Sequence, residues 1–209
     1  VTNSLVHHWN LDEGSDWHDS PFLSVSTQAV AYDSVGDADA ALRNMDGANW
    51  VSGRQFTALQ FDGVDDCLAA AANLASTLGG TASLSFWLRT SQAGSASAAQ
   101  APGVTGSAGS GGVQWGWLDE AGRIALSVDN ALTVRASTPV NDGEWHHIVL
   151  MRDSETGAGS VYVDGVPDGS ATGLTGVREA AFASLGRIEN GSASTGYFAG
   201  RLDQLYVYS

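Results

Sequence analysis

Trp115 and Trp117 are the residues whose spacing points most directly to binding chemistry. They stand two apart in Val113-Gln114-Trp115-Gly116-Trp117-Leu118. In a strand that spacing puts both indoles on one face, about 6.6 Å apart. Exposed, such a pair could stack on the CH-rich faces of a sugar chain; turned inward, it is core. Trp17 and Trp50 add to the supply of indoles. Carboxylates form the second set. Asp12-Glu13-Gly14-Ser15-Asp16-Trp17-His18-Asp19 carries four in eight positions, with no glycine or closing glutamate at the places an EF-hand requires. The stretch reads either as a solvated acidic loop or as the source of one or two ligands to a calcium ion shared with distant chain. Asp203 alternates onto the face of Leu205 and Val207. If that face is inward, the carboxylate needs a partner: calcium, backbone N–H groups or Arg187. His146 and His147 could offer a general base, but are read as structural residues of a strand. Cys67 follows Asp66, which disfavours a thiolate, so it is read as a buried structural thiol and not a nucleophile.

These residues need strands to hold them, and the chain is patterned for strands. Asn141 to Gly165 reads as a hairpin. Trp145-His146-His147-Ile148-Val149-Leu150-Met151 and Ser160-Val161-Tyr162-Val163 flank a polar loop with glycines. Leu5–Leu11 alternates as a first strand. Ser83–Arg89 places Leu84, Phe86 and Leu88 on one side and Trp87 on the other, where it is taken as packing, the alternative being the floor of a ligand groove. Ile124–Val128 returns from the tryptophan strand. Residues 21–50 are weakly periodic, with short candidates at Ser26–Tyr32 and Ala40–Met45. Ser91–Gly112 has no charge and almost nothing large, and reads as a long mobile loop at one rim. Asn190-Gly191-Ser192 satisfies a glycosylation sequon.

Composition narrows the classes. The net charge is −14, and all nine basic residues are arginines. Such a surface repels phosphate backbones and anionic membranes, so nucleic acid is excluded as a partner. No window reaches membrane-span length, so no membrane insertion is expected. One cysteine permits neither an intramolecular disulfide nor a cysteine-based metal cluster. The start lacks Met and a basic-then-apolar leader, as expected of an excised or mature segment.

Four stretches together resemble one family. Asp142-Gly143-Glu144-Trp145-His146-His147-Ile148-Val149 with Val161-Tyr162-Val163-Asp164-Gly165, Leu59-Gln60-Phe61-Asp62-Gly63-Val64-Asp65-Asp66, Ser83–Arg89 and Tyr197–Tyr208 are similar to laminin G-like (concanavalin A-like) modules. Cys67 departs from the aromatic usual after the paired aspartates. The resemblance runs from Trp9 to Tyr208. It implies an all-β fold, a two-sheet antiparallel jelly-roll β-sandwich of about twelve to fourteen strands, with residues 1–209 as one domain. It also implies a calcium ion at one rim, with Asp62 and Asp203 as the better ligands and Asp12 as a third. The implied function is a carbohydrate-binding or adhesion module, secreted or on the cell surface, within a larger multidomain chain. Its partner would be a polysaccharide or glycan, acidic ones included because arginine contacts oxyanions bidentately. A structural spacer is the alternative. Catalysis is not expected, since the Glu-x-Asp-x-x-Glu and Glu-x-Asp-x-Glu strand motifs of hydrolases on this fold are absent, as are the strand motifs of alginate lyases.

Overall fold

The structure, a computed structural model, describes residues 4–15, 29–191 and 196–209. Trp17, the carboxylates Asp16 and Asp19, and Ser192 of the sequon fall outside that range, as does the first part of the Ser26–Tyr32 candidate. The strands in chain order are β1 (Leu5–Trp9), β2 (Val30–Ala31), β3 (Ala40–Arg43), β4 (Trp50–Ser52), β5 (Thr57–Asp62) and β6 (Cys67–Ala70). A single helical turn, α1 (Ala75–Leu78), precedes β7 (Ala82–Arg89), β8 (Thr105–Gly106), β9 (Val113–Leu118), β10 (Arg123–Val128) and β11 (Ala131–Pro139). The chain closes with β12 (Trp145–Arg152), β13 (Ala158–Val163), β14 (Val166–Thr172), β15 (Ser184–Leu185) and β16 (Ala199–Tyr208).

Among the described residues these strands form two eight-stranded sheets. The first runs β14-β13-β12-β7-β16-β5-β4, with β1 also paired to β16; the second runs β11-β10-β9-β8-β15-β6-β3-β2. All strand pairs are antiparallel. The all-β jelly-roll sandwich expected from the sequence is therefore the fold. It has more strands than the twelve to fourteen expected, because two-residue segments such as β2, β8 and β15 complete the second sheet.

The sheets differ in how their outer faces are covered. In β7 burial alternates strictly: Leu84, Phe86 and Leu88 enter the core, while Ser83, Ser85, Trp87 and Arg89 face outward. In β9 every residue is buried, because one face enters the core and residues 94–102 lie over the other. The segment from Ser91 to Gly112 is not the mobile rim loop expected from its composition. Ala98 and Ala101 pack on Trp117, and Gly94 and Ser95 bond the backbone at Asp119 and Leu118. Small side chains let it approach closely, so its low complexity reflects close packing. One sheet thus keeps an open outer face and the other does not.

Candidate functional site

The open face belongs to the first sheet, and its cross-strand register arranges it in rows. The first row is Trp145, Arg89, Arg201 and Gln60. The second is His147, Trp87 and Asp203, and the third is Tyr162, Val149, Ser85, Tyr206 and His8. Trp145, Trp87, His147, Tyr162, Tyr206, Tyr208 and His8 are all half-buried. Neighbouring rings touch. Trp87 and His147 lie 5.0 Å apart between centroids, His8 stacks on Tyr206 at 4.0 Å, and Tyr206 meets Tyr208 at 6.4 Å. The Arg54 guanidinium sits over the Trp87 ring at 4.8 Å. A cleft of about 530 Å³ opens at the first row, and a groove of about 500 Å³ lies at the opposite end beside Ser83, Met151 and Ser160. Half-exposed aromatic rings interleaved with hydrogen-bonding groups are what a sugar chain needs: flat apolar surface for CH faces, and donors and acceptors for hydroxyls.

The indoles singled out in the sequence lie elsewhere. Trp115 is fully buried between the sheets, where its Nε1 donates to the Leu78 carbonyl at 3.0 Å. Trp117 is 3% exposed in a separate cluster on the outer side of the second sheet, and its Nε1 donates to Ser127 at 3.0 Å. The two do not share a face. Gly116, at φ +69°, is an extra residue opposite the Ala125–Leu126 step, and a bulge reverses side-chain parity beyond it. Trp50 is core as well, 9% exposed and paired with Leu59. None of these three offers an exposed stacking platform. Trp87, taken as packing, is on the open face. Its company with Ser83, Ser85 and Arg89 was the available signal, since all four share one strand face.

The carboxylates also separate. Asp203 is fully buried and pairs in register with Trp87, so it points to the outer side and not with Leu205 and Val207. Gln204, at φ +52°, adds the residue that flips parity. The turn at Gly53–Gln55 closes over Asp203, whose Oδ2 accepts from the backbone N–H of Arg54 at 2.8 Å and of Gln55 at 3.0 Å. Its Oδ1 is buried without a hydrogen-bond partner among the described residues. Burial pushes this carboxyl up to about 6 against the two backbone N–H groups, and the nearby Asp12 carboxylate adds to the rise. Asp12 accepts from the Thr57 backbone N–H at 3.2 Å and from Gln204 Nε2 at 3.4 Å, and burial raises its pKa too. Asp62 lies four β16 positions away, opposite Ala199, so roughly 13 Å from the level of Asp203. It clusters instead with Asp65 and Asp66, their oxygens within 4.8 Å. There Asp62 Oδ1 caps the turn, accepting from the N–H of Val64 at 2.7 Å and of Asp65 at 3.2 Å. No single calcium ion, with ligands at about 2.3–2.6 Å, can use Asp62 and Asp203 together.

His146 and His147 stand in β12, as expected of strand residues. His147 Nε2 is 3.0 Å from Ser85 Oγ. Cys67 is buried, and burial raises its thiol pKa, so it is not poised as a nucleophile.

This fold agrees with what the chain is similar to. The family profile described as the concanavalin A-like lectin/glucanases superfamily matches residues 62–209, and the chain belongs to that family. Among solved structures, domain 4 of AbnA, a GH43 extracellular arabinanase from Geobacillus stearothermophilus in complex with arabinotriose, is similar at 19% identity and a TM-score of 0.59. That match covers 99% of this chain and 93% of the other. A mutant Trypanosoma rangeli sialidase displaying trans-sialidase activity aligns at 17% identity and a TM-score of 0.59, over 98% of this chain but 30% of the sialidase chain. The same sialidase in complex with sialic acid aligns at 17% identity and a TM-score of 0.56. Comparison with curated proteins finds no match. The solved neighbours establish the shared fold.

Proposed function

We propose that this chain is a non-catalytic carbohydrate-binding module of an extracellular or cell-surface protein, and that glycan lies across the open face of the first sheet. The observation that carries the reading is Trp87, half-buried between His147 and Asp203 on that face, with Trp145 and the Tyr206–His8 stack on either side. The arabinotriose bound to the AbnA domain supports a glycan as the class of ligand.

A non-catalytic role is supported by the carboxylates. Glycoside hydrolysis needs two across a cleft. Asp203 has the raised pKa of an acid catalyst, yet it is sealed under the Gly53–Gln55 turn, and the cleft lining contains one carboxylate, Asp62. A calcium ion belongs to the same proposal. The fit is best at Asp203, whose buried, unpartnered Oδ1 beside Asp12 suits a hard cation with oxygen ligands. A spacer without glycan is the second reading, favoured by the burial of both tryptophans of β9.

The test is Trp87→Ala, measured by affinity electrophoresis and calorimetry against neutral and acidic polysaccharides. Wild type should bind at least one, and the substitution should weaken it about tenfold, the size of a lost aromatic stacking contact. Binding untouched by Trp87→Ala would move the site off this face. Wild type binding no glycan would leave the spacer.

A further inference from the structure

We infer that the cleft at the first row is a carboxylate-recognising subsite, which makes the glycan a uronic-acid polysaccharide. The inference rests on the reading of this face as glycan-binding. Arg89 and Arg201 are direct cross-strand partners on β7 and β16, both half-buried and both lining the cleft. Arg54 lies one row along, over Trp87. Among the described residues no carboxylate lies within ion-pair distance of these three guanidiniums. Arg123 and Arg135 share Asp119 and Arg178 pairs with Asp129, while Arg152 donates to backbone carbonyls and Arg187 to Tyr197, away from this face. In a chain of net charge −14, three arginines without carboxylate partners have gathered on one sheet face.

The arrangement is unfavourable by itself, because like charges directly opposite in a sheet repel. The protein relieves it only in part. Arg89 Nε donates to the Gly143 carbonyl, and Arg201 reaches Gln60 Oε1 and the Ser52 carbonyl at 3.3 Å each. A planar carboxylate between the two forks would take bidentate bonds from both and remove the repulsion. Trp145, beside Arg89 in the same row, offers apolar surface to the ring that bears the carboxylate, and Trp87 in the next row holds Arg54 over its ring. The remaining acidic surface repels a polyanion, so retention requires that its carboxylates enter this cleft, which adds selectivity.

The experiment measures binding of polygalacturonate, alginate and glucuronoxylan, each beside its carboxyl-reduced form, with a sulfated polymer as a further arm. The proteins are wild type, Arg89→Gln, Arg201→Gln and Trp87→Ala. At least one uronate should bind about tenfold or more tighter than its reduced form. Each arginine substitution should erase that preference by weakening the uronate far more than its reduced form, the loss of a charge-assisted contact being worth about that factor. The melting temperature of each arginine variant should stay near that of wild type, because relief of the charge repulsion offsets the hydrogen bonds lost. Equal affinity for acid and reduced forms, weakened by Trp87→Ala alone, overturns the carboxylate subsite and leaves the glycan face standing. Preference for the sulfated polymer over every uronate overturns the uronate assignment. No binding to any polymer removes both.

Discussion

His146 lies at the end of the β12–β13 hairpin between two carboxylates, its Nδ1 2.8 Å from Asp164 and its Nε2 3.1 Å from Asp142. Burial alone would lower its pKa, but the two carboxylates outweigh burial and leave it raised above 6.5. A group with a raised folded-state pKa stabilises the fold below its unfolded value, and that contribution fades as pH climbs through the folded value. His146→Gln should therefore lower the melting temperature most near pH 5–6, with a gap that narrows on titration toward pH 8. The gap corresponds to about 1 kcal/mol or less, because both carboxylates are half-exposed. A gap constant with pH would assign His146 a packing role. This pair was legible as a strand residue beside two turns, Asn141-Asp142-Gly143 and Asp164-Gly165, though not as an ion pair. Asp203 was legible only as a carboxylate in need of partners. Those partners come from Arg54 and Gln55, some 150 positions earlier in the chain, and no local pattern points to them.

At the scale of elements, the hairpins and β7 followed from alternation and turn residues, and the errors fall where alternation is broken. Side-chain parity holds along a strand until an extra residue enters, and every later side chain then changes face. Gly116 separates Trp115 from Trp117 in this way, and Gln204 separates Asp203 from Leu205. Both bulge residues have positive φ, which a glycine announces and a glutamine does not. A Cβ on Gly116 would lie 2.9 Å from Val104 Cγ2 and 3.2 Å from Phe86 Cζ, as well as straining the backbone. Gly116→Ala should cost roughly 2–3 kcal/mol by chemical denaturation. A change under about 0.5 kcal/mol would mean that β9 can shed its bulge. The covering of β9 by residues 94–102 was hidden for a different reason. Alanine and glycine carry little hydrophobic signal, yet they are the residues that let a loop lie flat on an indole.

For the whole molecule, a cation held only by the folded state raises stability by mass action. If calcium binds at Asp203, chelation should lower the melting temperature by about 5–10 °C at ion concentrations near 100 times Kd. In Asp203→Ala, already less stable through loss of the Gly53–Gln55 turn, chelation should have no further effect. An unresponsive wild type would leave Asp203 held by its two backbone bonds alone. The sandwich has one more property at this scale. Ser4 and Ser209 exchange backbone hydrogen bonds in both directions, at 3.1 and 3.0 Å, so the two ends emerge side by side from antiparallel neighbours β1 and β16. Tension applied across those ends meets the ladder one rung at a time, as in opening a zipper, and does not load all its bonds together in shear. The first strand is then a mechanical fuse. It peels from Ser4 toward Trp9, while Arg201 near the start of β16 still has β5 and β7 on either side. Tension applied at Ser4 and Ser209 would therefore open β1 before the cleft is disturbed.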